Sequence, residues 1–173
     1  MNLQSTDFEL FGLPARFAQD AAQIDARWKA LQSQAHPDRF AAAGAAAKRV
    51  TLQWSARINE ARRRLQDPLA RAAYLCELHG AAIGAESNTA MPPEFLKRQM
   101  ELREALDEAA GASSLDAIDR QTTALRDDLL RQIERQIDGQ ADWPAAAQSV
   151  RALMFLDRLA SQIERRRATL DSL

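Results

Sequence analysis

Apolar residues recur at helical spacing along most of the chain. Between Asp20 and Ala35, the residues Ile24, Trp28, Leu31 and Ala35 follow steps of four, three and four, which aligns them on one helix face. A second stripe, Val50, Trp54, Ile58, Ala61 and Leu65, predicts a helix over about 46–66. Stripes of this length can bury one another as an antiparallel pair. Ahead of them, "STDFELFGLP" predicts a short helix capped by Ser5 or Thr6 and ended at Gly12-Leu13-Pro14. After them, Asp67-Pro68 opens "PLARAAYLCEL", with proline at a first position where its missing N–H costs nothing.

The second half predicts three more helices, at about 93–110, 114–138 and 144–171. The first ends at Gly111, the second follows Ser113-Ser114 and ends at Gly139, and the third has Asp142 as cap and Pro144 in its first turn. The middle helix carries a seam of Leu115, Ile118, Thr122, Leu125, Leu129, Ile133 and Ile137. The last offers Val150, Leu153, Leu156, Ala160, Ile163 and Leu170. Short connections make a three-helix bundle the economical architecture.

Between the halves lies "HGAAIGAESNTAMPPE", rich in Gly and Pro and poor in apolar residues. It divides the chain into an N-terminal domain at 1–79, a linker at 80–92 and a bundle at 93–173. Composition supports an all-α class, because alanine dominates the 46% hydrophobic share and aromatics make up only 6%. The net charge of −1 gives no global argument for nucleic acid or membrane binding, although it is split as +3 over 1–80 and −4 over 81–173. No apolar run is long enough for a membrane helix, and "MNLQSTDFEL" lacks the pattern of a signal peptide. The single cysteine, Cys76, excludes an internal disulfide and any CxxC motif, and sits among apolar residues as a small buried hydrophobe would. A cytoplasmic location is expected.

The first candidate for chemistry is His36-Pro37-Asp38, at the tip of the predicted helix pair. Pro37 disfavours helical geometry at His36, so the preceding helix should end there, and Asp38 can brace the turn. Acid–base catalysis by His36 would need a partner side chain and a pocket, and a hairpin tip supplies neither. His36 and Asp38 are too few to hold a metal. A contact for another protein and a plain exposed turn both remain open. The basic run Arg62-Arg63-Arg64 reads as a solvated helix face.

The second candidate lies at 95–108. Phe95, Leu102, Leu106 and Ala109 form one helix face, and Leu96 and Met100 lie roughly a third of a turn away from it. Glu101, Glu104 and Glu108 make an acidic ridge, and Phe155 on the last helix is likewise off its stripe. These residues are either the edge of a wide core or an apolar patch rimmed by carboxylates, suited to gripping a partner protein.

Residues 6–79 resemble a J domain, through His36-Pro37-Asp38 and through "INEARRRLQDPLARAAYL" at 58–75. With the linker and bundle, nearly the whole chain resembles the HscB family of J-type co-chaperones of iron–sulfur cluster assembly. The stretches that carry this are "LFGLPARF", "QMELREALDE" and "FLDRL". The resemblance implies that the J domain docks on an HscA-type chaperone ATPase and stimulates it, with His36, Pro37, Asp38, Arg27 and Arg39 at the contact. It implies that the bundle binds an IscU-type scaffold through Leu96, Met100, Glu101, Glu104, Glu108 and Phe155. It implies no cofactor, no metal and no catalytic residue. Three departures from the family pattern are Ala35 where an aromatic residue is frequent, few basic residues in 20–35, and Lys97 in place of an apolar residue. A J-type co-chaperone with another client, and a small His-dependent enzyme, are the alternatives.

Overall fold

The computed structural model describes residues 2, 4–35, 44–84, 91 and 93–170. Among these the chain is all-helical: α1 (Asp7–Phe11), α2 (Ala21–Gln34), α3 (Gly44–Gln66), α4 (Pro68–Leu78), α5 (Pro93–Glu108), α6 (Ala112–Glu134) and α7 (Trp143–Leu170). A π-helical turn, Arg135–Gly139, extends α6. The chain divides into two compact units, Met1–Leu75 and Cys76–Leu173. The division falls inside α4, ahead of the expected boundary at residue 79. Ile83, in the stretch read as a linker, is buried, and its carbonyl accepts from Arg151 Nη1 at 3.1 Å. One isoleucine in a Gly/Ala-rich run leaves no periodic signal, so the pattern could not reveal this anchoring to α7.

In the first unit, α1 begins with a reciprocal cap. The Glu9 N–H donates to Thr6 Oγ1 at 3.2 Å, and the Thr6 N–H donates to the Glu9 carboxylate at 2.8 Å. It ends at Gly12, whose φ of +61° is the left-handed conformation that glycine adopts without a steric penalty. Phe8, Phe11, Ile24, Ile58 and Leu65 are fully buried where α1, α2 and α3 meet. Asp7 is buried with them, its carboxylate 2.5 Å from Arg57 and 3.0 Å from Arg64. The Asp7 N–H donates to the Tyr74 hydroxyl at 3.0 Å, and the Phe8 and Tyr74 rings stack at 5.9 Å. Together these contacts lock α1 onto α3 and α4.

Two expectations for α3 are corrected. Val50 is 51% exposed, and Thr51 takes the inward position, its hydroxyl donating to the Ala47 carbonyl at 3.0 Å. Two successive steps of four, from Val50 to Trp54 to Ile58, advance about 80° around the helix and leave the face, whereas Thr51 restores a step of three. The run at 62–64 is not simply a solvated face. Arg62 pairs with Asp25 at 2.9 Å and lies over the Trp28 ring at 4.1 Å, and Arg64 joins Asp7 to Glu60; only Arg63 is exposed. A polar ladder fixes α2 against α3. Trp28 Nε1 and Gln32 Nε2 both donate to Asn59 Oδ1, at 2.9 and 2.8 Å, and Ser55 donates to Gln32 at 3.2 Å.

The second unit is the bundle of α5, α6 and α7, with its core at Leu102, Leu106, Leu115, Ile118, Leu156, Leu159 and Ile163. The buried Thr122 hydroxyl is satisfied by the Ile118 carbonyl at 2.8 Å. Asp142 caps α7 by accepting from the Ala145 N–H at 3.1 Å. Leu170, expected on the α7 stripe, is 36% exposed at the helix end. Cys76 is fully buried, and desolvation pushes its thiol up to about 11, so it stays protonated at neutral pH. It is a small packing residue with no thiolate to react.

Candidate functional site

The candidate surface on the bundle is built by the amphipathic pattern of α5. Leu102, Leu106 and Ala109 turn into the core, with Phe95 packed against it, which fixes the rotation of the helix. That rotation presents Leu96 at 41% and Met100 at 71% exposure, together with exposed Glu101, Glu104 and Glu108. Large apolar side chains left this open beside carboxylates form the kind of surface a partner covers. Glu101 accepts from Arg98 at 3.4 Å, an exposed pair that contributes little to stability.

Phe155 does not stand in this patch. It is only 5% exposed and belongs to the core. The Phe95 ring meets it edge-on at 6.0 Å, and the Arg103 guanidinium lies 5.9 Å from its centroid. The expectation of a surface residue is corrected by the packing of α7. That helix contacts both α5 and α6, and most residues from Ala146 to Leu156 are buried, over a far wider arc than one stripe. Phe155 therefore supports α5 from below, and the exposed members of the patch all come from α5. Phe95 packs on the core face that its spacing predicted, whereas the role of Arg103 was not legible in the sequence, since nothing in its spacing marks contact with another helix. A groove of about 400 Å³ beside α5, lined by Phe95, Arg98, Leu125 and Leu129, includes none of the expected residues.

In the first unit, Arg27 is exposed on α2 and borders a depression of about 220 Å³ with Leu10, Phe11 and Gln34. His36, Pro37, Asp38 and Arg39 lie outside the described residues; α2 ends at Gln34 before them and α3 begins at Gly44 after them. Among the described residues, no group of three or more His, Cys, Asp or Glu side chains is gathered as a metal site requires. No helix there is long and apolar enough to cross a membrane.

Comparison with known proteins places this architecture. A family model described as the HSCB C-terminal oligomerisation domain matches residues 91–164. The co-chaperone protein HscB homolog of Burkholderia multivorans is 52% identical over 166 residues, 94% of each chain. The chain belongs to the HscB co-chaperone family. Among solved structures, the chaperone HscB from Vibrio cholerae superimposes with a TM-score of 0.81 at 38% identity, covering 96% of this chain and 99% of that one. The human co-chaperone protein HscB gives a TM-score of 0.91 at 25% identity, over 98% of this chain and 86% of that one. The fold is thus that of the HscB co-chaperones, a J domain followed by a C-terminal helical domain.

Proposed function

We propose that this HscB-family chain binds an IscU-type iron–sulfur scaffold on the bundle and delivers it to an HscA-type chaperone in the cytoplasm. There His36, Pro37 and Asp38, together with Arg27 and Arg39, stimulate the chaperone's ATPase and promote cluster transfer. Its own residues perform no covalent chemistry in this scheme, and the nucleotide is hydrolysed by the partner. The observation that carries it is the pair of exposed apolar side chains, Leu96 and Met100, beside Glu101, Glu104 and Glu108 on α5 of an HscB-type co-chaperone. Clustered apolar residues within a charged rim are where binding energy concentrates.

Titration calorimetry with an IscU-type scaffold tests the client half of the proposal. Leu96→Ala should weaken binding at least about tenfold, equivalent to roughly 1.4 kcal/mol. Its stability should fall by no more than about 1 kcal/mol, because the side chain is half-exposed and lies outside the core cluster. Unchanged scaffold affinity in Leu96→Ala and Met100→Ala alike would remove α5 as the client surface.

A further inference from the structure

The outward arc of α5 carries a cation among its apolar and acidic side chains. Lys97 is exposed, next to Leu96 and one turn before Glu101. At about 100° per residue it projects between Glu104 and Glu108, roughly 60° around the helix from Met100. Two acids lie within helical reach of it: Glu94, three residues before, and Glu101, four after, the latter in the weaker Lys-before-Glu order and already engaged by Arg98 at 3.4 Å. Among the described residues, Lys97 makes no ion pair, and neither do Glu104 and Glu108. Lys97 thus stands beside the exposed Leu96 and Glu104 one turn beyond Met100, neither in an ion pair, while Glu108 continues the same face about 12 Å past Met100.

A partner that covers Leu96 and Met100 also strips water from the Lys97 ammonium. A desolvated cation facing no counter-charge opposes association, while one facing a carboxylate favours it and sets the orientation. We infer that Lys97 is a specificity-determining residue of the client face, a role that presupposes the scaffold binding proposed above. The matching scaffold surface presents a carboxylate to Lys97. It carries cationic side chains about 10 and 16 Å further along, opposite Glu104 and Glu108, at 1.5 Å of helix rise per residue. A scaffold basic throughout this surface is disfavoured by Lys97, and one acidic throughout by the two glutamates. The pattern fixes polarity as well as choice of partner.

Calorimetry on the full chain with an IscU-type scaffold tests this, using Lys97→Met, Lys97→Glu and Leu96→Ala. The expected result is a loss of about threefold for Lys97→Met and at least tenfold for Lys97→Glu, both shrinking as salt rises. Lysine substitution of one scaffold carboxylate should restore binding to Lys97→Glu alone. Binding by Lys97→Met as tight as the parent's, while Leu96→Ala weakens it, would overturn the role of Lys97 and leave the client face standing. No loss in Leu96→Ala would overturn both.

Discussion

Replacing Phe155 with alanine is expected to destabilise the bundle by about 3–5 kcal/mol, the range for truncating a buried aromatic side chain. The side chain is 5% exposed and packs with Leu102, Leu106, Leu156 and Leu159, so its removal leaves a cavity in the middle of the core. It would also take away the surface on which the Phe95 ring rests and over which Arg103 lies, loosening α5 from α7. Weaker scaffold binding by this variant would then follow from displacement of α5. Urea unfolding followed by circular dichroism measures the effect, and Phe155→Leu should recover most of it. A stability change below about 0.5 kcal/mol, the usual bound for surface substitutions, would return Phe155 to the surface.

Asp7→Ala should cost the first unit about 3 kcal/mol. Removing one partner of a buried charge cluster generally costs about 3–5 kcal/mol. The lower figure applies because Arg57 and Arg64 are 20% and 32% exposed and can turn toward water. The loss is expected to be local first, since Asp7 ties the five-residue α1 to the rest of the unit. Hydrogen exchange should therefore show the α1 amides losing protection ahead of those of α3. Equal protection of α1 in the variant and the parent would contradict a structural role for this carboxylate.

The helices were legible where periodicity was long and most ends were marked, although α6 starts at Ala112 after a Gly111 cap and not after Ser113-Ser114. Thr6 and Asp142 act as caps, Gly12 terminates α1, and Pro68 opens α4, as residue chemistry dictates. The exposed pair on α5 was also legible, because Leu96 and Met100 fall off a stripe that the core does satisfy. What escaped was anything decided by two neighbours at once. Phe155 is off the stripe that faces one helix, yet α7 is packed by two. Arg62 and Arg64 form a basic run in one dimension and a set of clamps to Asp25, Asp7 and Glu60 in three. Val50 failed for a simpler reason, a drift of about 40° with each step of four.

Coupling of a scaffold protein to a partner's ATPase is the activity proposed for this chain. Its most direct test is the steady-state ATPase rate of an HscA-type chaperone with this protein, with an IscU-type scaffold, and with both. Modest stimulation by either alone and a rate with both that exceeds the sum are expected. His36→Gln should abolish the contribution of this protein while scaffold affinity stays unchanged, and Leu96→Ala should keep the basal stimulation and lose the synergy. Stimulation by His36→Gln equal to that of the parent chain, or a combined rate no greater than the sum, would contradict it.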